Sequence, residues 1–411
     1  MREMKDSGIE WIGEIPKDWS IVAVKHCFNI SNGSDPITDE GEIPVYGSGS
    51  KSFKTCKEFK EGPTVLLGRK GTINIPQWIE NKYWNVDTAF DVQPKENYDL
   101  KLFYYCAVCF DYERYTTQTA LPSMTQGDYK NFKIPYMSFY EQQQIANFLD
   151  TQCSEIDATA EDIQKEISLL EDYKKSVITE AVTKGLNPDA EMKDSGIEWI
   201  GEIPKDWKVI KTKYVADISI GLVTTMTANY VDNLDDGVYL IRNGDIRLNK
   251  ISKEKMVYIS RKFVEQNASR QLLENDIVTV HTGYIGTSAI IRDDFIGSVG
   301  FATIQSRPNL NIINERYLCW FYNSSFFIKQ CMLHNTGDGR QNLNLYDFVN
   351  FYVYQPPLAE QQQIADYLDS KCSEIDTLIA DKKRQLDILA EYKKSLIYEY
   401  VTGKKEVPVN E

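Results

Sequence analysis

Two stretches of the chain alternate apolar and polar positions with a period of seven. In the first, Leu149, Ile156, Ile163, Leu170 and Val177 recur every seventh residue, and Cys153, Ala160, Ile167 and Ala181 form a second row four residues on. This is the a/d seam of a coiled coil, sustained over about four heptads. The spacing predicts a single helix over 141–184. A second helix is predicted over 360–404, where Leu368, Ile375, Leu389 and Leu396 run beside Cys372, Ile379, Leu386 and Tyr400, offset by 219 residues. No proline interrupts either run, and Gly185 and Gly403 stand where a helix would stop. Lys174, Lys382 and Lys393 interrupt the seam, which predicts imperfect packing or snorkelling stems. Two such stripes in one chain most simply bury each other. At about 1.5 Å per residue each helix would be a rod of about 60 Å.

The segments before the two helices lack this period and read as short strands and turns. Thr64–Leu67 and Ile73–Ile75 are strand candidates, and a helix is expected near Leu100–Tyr112. Both segments contain G-x-x-G-T, at Gly68–Thr72 and Gly283–Thr287, an offset of 215. Nearer the helices, 116–135 aligns with 335–354 without a gap; its first residues are polar and differ, and its later apolar residues agree. Each segment is preceded by MKDSGIEWIGEIPKDW, unchanged at Met4–Trp19 and Met192–Trp207. The chain is therefore a tandem duplication of leader, variable domain and helix. The boundaries are 1–140 for the first leader and domain, 141–185 for the first helix, 192–359 for the second leader and domain, and 360–404 for the second helix. The second domain is longer, and most of the excess falls around Thr224–Ser260. The leader tryptophans are read as packing each leader onto its domain. Helix 141–184 opens with Ser138-x-x-Glu141, a capping box.

Composition narrows the classes. The net charge of −14 argues at first against nucleic acid, but it is unevenly spread. Residues 20–140 carry −1 and 208–359 carry +2, whereas 141–191 carry −8 and 360–411 carry −3. The acid lies mainly on the helices, and either domain could present a basic face. No signal peptide or membrane span is indicated. The eight cysteines lack framework spacing, and Cys106-x-x-Cys109 lies in an apolar run, so a reduced, cytoplasmic protein is expected.

Catalytic patterns are missing. There is no P-loop, no G-x-G-x-x-G and no aminomethyltransferase signature, and His26, His281 and His334 lack metal-ligand spacing. No cofactor is expected on this chain, which is read as one that binds and positions. Two rivals are a coiled-coil scaffold without DNA readout and a self-contained nuclease or methyltransferase. Two divergent polar loop sets on a shared scaffold disfavour the first, and the missing motifs disfavour the second.

The leader GIEWIGEIPKDW, the helix start PPLAEQQQIA and the alternation of two variable domains with two repeated helices resemble the specificity subunit of type I restriction–modification enzymes over essentially the whole chain. The resemblance implies an α+β fold: two similar target recognition domains joined by two long antiparallel helices that form a coiled-coil spacer, with pseudo-twofold duplication. It implies a non-catalytic subunit that reads bipartite double-stranded DNA across an unread gap and docks methylation and motor/nuclease subunits. S-adenosylmethionine, ATP and Mg would belong to those partners. Bases are read at groove edges by polar side chains on rigidly held loops. The candidates are Arg69, Lys70, Thr72, Asn74, Gln118, Thr119 and Ser123 in the first domain. In the second they are Arg242, Asn243, Tyr284, Thr287, Arg340, Gln341 and Asn342. Gly68, Gly71, Gly283 and Gly286 are expected to shape turns.

Overall fold

A computed structural model describes residues 2–95, 97–116, 122–223, 227–334 and 341–408. The two expected helices are present, Phe139–Lys184 and Leu358–Val401. The chain divides into two compact units, 1–165 with 382–411, and 166–381. The division falls within the helices rather than at their starts at 140 and 359. The reason is burial: the helix ends belong to the domain cores. Ile145, Leu149, Cys153, Leu396, Ile397 and Val401 are in the core of the first unit. Val177, Ile178, Val182, Ile364, Leu368 and Cys372 are in the core of the second. Each large aliphatic side chain so withdrawn from water contributes roughly 1.5–3 kcal/mol.

Within each unit the two helical segments run antiparallel, and the lysines on the seam have partners. In the first unit Lys393 donates to both carboxylate oxygens of Asp157, at 2.7 and 2.6 Å. In the second, Lys174 does the same to Asp376, at 2.7 Å to each oxygen. The two pairs are related by the repeat. Their carboxylates are exposed, so each pair contributes at most about 1 kcal/mol. The lysine stems cover the seam while the charged ends stay near water.

The first unit is built on a four-stranded antiparallel sheet of β1 (Phe28–Asn32), β2 (Thr64–Gly68), β3 (Gln77–Ile79) and β4 (Ala89–Pro94), in the order β1-β4-β2-β3. The second unit repeats it with β5 (Ala216–Ile220), β6 (Ile277–Val280), β7 (Ser288–Ile290) and β8 (Thr303–Pro308), in the order β5-β8-β6-β7. β2 is buried along its whole length, as its run Thr-Val-Leu-Leu-Gly suggests. The strand expected at Ile73–Ile75 is not one. Gly71, at φ +81°, reverses the chain, Ile73 turns into the core, and the partner of β2 is β3 beyond Pro76, with Thr64 opposite Ile79. The helix expected near Leu100–Tyr112 spans Leu100–Val108, capped by the Asp99 carboxylate on the Leu102 N–H. Part of the extra length of the second domain enlarges a second sheet, which includes Gly237–Arg242 and Val257–Ser260, to four strands. Among the described residues the corresponding sheet of the first unit has three short strands.

Each leader folds as a hairpin, Met4–Asp6 with Glu14–Pro16 and Met192–Asp194 with Glu202–Pro204. Its second tryptophan, Trp19 or Trp207, is buried. The leader hairpins sit against the C-terminal ends of the long helices. In the second unit the chain runs continuously from helix through Gly185 to leader. In the first unit the helix end and the leader meet without a covalent link: Lys404 Nζ donates to the Ile12 carbonyl at 2.8 Å, and Arg2 pairs with Glu141 and Glu406. The two junctions differ in one detail. Trp207 Nε1 donates to Glu360 at 3.0 Å, whereas Glu141, the counterpart of Glu360, is held by Arg2, and buried Trp19 Nε1 has no partner. Ser138 caps the first helix as expected, its hydroxyl accepting from the Glu141 N–H at 3.3 Å.

Gly403 makes the non-covalent junction sensitive. Its φ is +71°, and an added Cβ would lie 2.5 Å from Pro16 and 2.9 Å from Trp19. The left-handed backbone alone costs a non-glycine residue roughly 1–2 kcal/mol. Gly403→Ala is therefore expected to destabilise the first unit by about 3 kcal/mol. Gly185→Ala, whose Cβ would meet the movable Glu360 carboxylate at 2.9 Å, is expected to cost about half that. Denaturant midpoints of the two variants check the order, and equal midpoints contradict it.

All eight cysteines are free thiols, and all except half-buried Cys109 are buried. Burial pushes the Cys109 thiol up to about 12 and the Cys372 thiol up to about 11. A raised thiol pKa leaves almost no thiolate at neutral pH. The folded chain is expected to resist iodoacetamide at pH 7.5, and the unfolded chain to take up eight labels. Mass spectrometry after timed labelling reads this, and rapid labelling of Cys106 or Cys109 in the folded chain would mark a reactive pair. Among the described residues no helix is long and apolar enough to cross a membrane, and no group of three or more His, Cys, Asp or Glu side chains could hold a metal ion.

Candidate nucleic-acid interface

In each unit the segment following the central strand is tied by backbone hydrogen bonds to the polar stretch near the end of the domain. In the first unit the Met124 N–H donates to Arg69 O at 3.0 Å and the Gly71 N–H to Pro122 O at 2.9 Å, with Lys70 opposite Ser123 in an antiparallel bridge. In the second unit the Leu343 N–H donates to His281 O and the Gly283 N–H to Gln341 O, both at 3.0 Å, with Thr282 opposite Asn342. Two stretches far apart in sequence thus form one rigid two-segment surface, and it is built twice.

This pairing corrects the alignment of the glycine loops. Gly71 corresponds to Gly283, an offset of 212, and not to Gly286. Gly71 and Gly283 both have positive φ and both donate to the polar stretch. Gly68 is instead the last residue of β2, where a Cβ would lie 2.2 Å from Thr72 O, so close backbone approach requires glycine there. The loop after Gly283 has the same length as that after Gly71, since Val278 pairs with Ala289 as Leu66 pairs with Gln77, and its residues take a defined shape. They form a turn closed by the Gly286 N–H on Val280 O at 3.1 Å and the Val280 N–H on Thr287 O at 2.8 Å. At its tip Tyr284 is 88% exposed.

The candidate side chains fall into three groups. Lys70 and Asn74 are exposed, while Thr72, Ser123, Thr287, Gln341 and Asn342 are half-buried on or beside the paired segments. Arg69 is half-buried and lies against Asp87, donating to its carbonyl at 3.3 Å with the carboxylate at 3.7 Å. Arg242 and Asn243 are committed to holding the domain together. Arg242 donates from Nε and Nη2 to the buried Asp245 carboxylate at 3.0 and 2.9 Å. Asn243 donates to Ala302 O at 3.0 Å and accepts the His281 N–H at 2.8 Å, so it positions the start of the reading segment. Gln118, Thr119 and Arg340 lie outside the described residues.

Two positions escaped the sequence reading. Thr282 bridges to Asn342, its hydroxyl 3.3 Å from Asn342 Oδ1 and 3.0 Å from His281 Nδ1. Burial lowers the His281 pKa, which keeps the imidazole neutral at physiological pH. Tyr346, 73% exposed, stands just beyond the polar stretch. The correct glycine pairing would have pointed to Thr282; an aromatic residue in a polar surface run was the available signal for Tyr346. Among the described residues the surface offers amides, hydroxyls, a lysine and exposed aromatic rings on segments held at both sides. Such a set can donate to and accept from base edges and phosphates.

Comparison with known proteins is consistent across the chain. The model of the type I restriction modification DNA specificity domain matches twice, at residues 16–169 and 204–387. The type I restriction enzyme MjaVIII specificity subunit of Methanocaldococcus jannaschii is 26% identical over 96% of this chain and 94% of its own length. The EcoBI specificity subunit of Escherichia coli is 22% identical over 92% of this chain and 84% of its own. A solved chain from work on complex assembly and conformational transition of the type I R-M system has the same fold. Its TM-score is 0.71 at 13% identity, covering 95% of this chain and 99% of that one.

Proposed function

The chain belongs to the type I restriction modification DNA specificity family, and on that premise we propose that its two paired-segment surfaces each read one half of a split DNA sequence. The observation that carries this reading is the repetition of one backbone frame with different side chains. Lys70 and Ser123 stand in the first frame where Thr282 and Asn342 stand in the second. A common frame with divergent polar residues is what two readers of two different half-sites require. The long helices hold the readers apart over an unread gap. The near-neutral domains provide little phosphate neutralisation of their own, so tight binding draws on partner subunits. Methylation subunits bearing S-adenosylmethionine, and motor/nuclease subunits using ATP and Mg, supply the chemistry on other chains. The setting is the cytoplasm.

The test is a methylome. This chain is expressed with its cognate methylation subunit in an unmethylated host, and modified adenines are mapped by single-molecule sequencing. One split motif, two short halves around a fixed gap, is the expected result. A stable complex that leaves no modified motif would reject the reading. Modification or cleavage by this chain alone would instead favour a self-contained enzyme.

A further inference from the structure

Among the differences between the duplicated helices, one equivalent pair of positions leaves a groove. In the first unit the Phe148 and Tyr400 rings pack with centroids 4.5 Å apart, and Tyr400 is buried. The counterparts 219 residues away are Tyr367 and Ala181. Alanine has no ring to offer, and Tyr367 is left 40% exposed. Beside it lies a groove of about 780 Å³, whose apolar lining includes Tyr173, Ala181, Leu186, Met192 and Tyr367. Single exposed apolar side chains are ordinary, but Tyr173, Leu186, Met192 and Tyr367 are all exposed and converge here. Glu180 and Lys184, 3.9 Å apart, set one charge of each sign on the rim.

We propose that this groove is an anchor pocket for an aromatic side chain of the methylation subunit, an inference that rests on the function proposed above. The chemistry of the occupant is given by the molecule itself. The same helical frame in the first unit seats the chain's own Tyr400 ring against Phe148. The kind of partner follows from the neighbouring surface. Leu169 and Tyr173 are exposed one helical turn apart, and so are their counterparts Ile388 and Tyr392. Two equivalent apolar pairs suit two copies of one partner. The pair in the second unit adjoins this groove, whereas in the first the Tyr400 ring fills the equivalent position. Two copies therefore bind unequally, and the copy at the second unit is held tighter by roughly tenfold to hundredfold, the range for burying one large apolar side chain.

Titration of the full chain with methylation subunit, followed by calorimetry and native mass spectrometry, tests this. The expected result is two copies bound with two distinct constants. Ala181→Tyr, which fills the groove from within, is expected to weaken the tighter step to the level of the weaker one while both copies still bind. Tyr367→Ser, at an exposed ring, is expected to weaken the same step without depending on how the new tyrosine packs. Equal constants in the unmodified chain, or a tight step untouched by both substitutions, would overturn the proposal. Self-association of the chain alone that A181Y abolishes would assign the groove to a second copy and also overturn it. Failure of every form to bind any methylation subunit would overturn both this inference and the function on which it rests. Loss confined to the variants bears on the groove alone.

Discussion

Removing residues 159–165 and 378–384 together is expected to shorten the unread gap in the DNA target and leave both half-sites unchanged. The segments are equivalent, each one heptad long, so the a/d seam closes up in register. The Asp157–Lys393 and Lys174–Asp376 pairs flank the cuts and are retained. A heptad is about 10 Å of helix, which sets an upper bound of about three base pairs at about 3.4 Å each. Methylome sequencing reads the gap and the half-sites in one experiment. A changed half-site would show that the helices do more than set distance. An unchanged gap in a folded variant would remove the spacer role.

The second large effect concerns one reading surface. Replacing Tyr284, Gln341 and Asn342 by alanine is expected to relax or erase one half of the split motif and leave the other intact. A good base contact is worth about 1–3 kcal/mol of discrimination, so losing two of them lowers preference at that half by roughly 30-fold or more. Lys70→Ala with Ser123→Ala should do the same to the other half. Modification frequencies at single-base variants of the motif give the comparison. A uniform fall in modification, with no change in preference at either half, would make these residues phosphate contacts instead.

Much of this architecture was legible because duplication made the chain its own comparison. The helices, their seam and the identical leaders are periodic or repeated patterns, and they fold as their periods require. The sequence marks the glycine loop and the polar stretch separately; it reveals neither that they converge nor the register between the loops. Matching G-x-x-G-T to itself aligned Gly68 with Gly283, whereas the backbone bonds align Gly71 with Gly283. Letter patterns do not reveal which glycine needs a positive φ and which lies under another strand. Arg242 and Asn243 show the same limit. Their residue types suit base contact, but Asp245, His281 and Ala302 claim their polar groups, and those neighbours are distant or unremarkable in sequence. The Phe148–Tyr400 stack and its missing counterpart were likewise visible only once the helices were paired.

The leader hairpin serves the same contact twice, once where the chain is continuous through Gly185 and once where Gly403 and Lys404 meet the other end of the chain. Position along the chain is therefore largely interchangeable for the two modules. A crossover within Met4–Trp19 or Met192–Trp207 would replace a whole domain together with its following helix, and every residue of the leader hairpin would be unchanged. New half-sites would then arise by recombination between related genes, in one event, with the frame that joins the modules preserved.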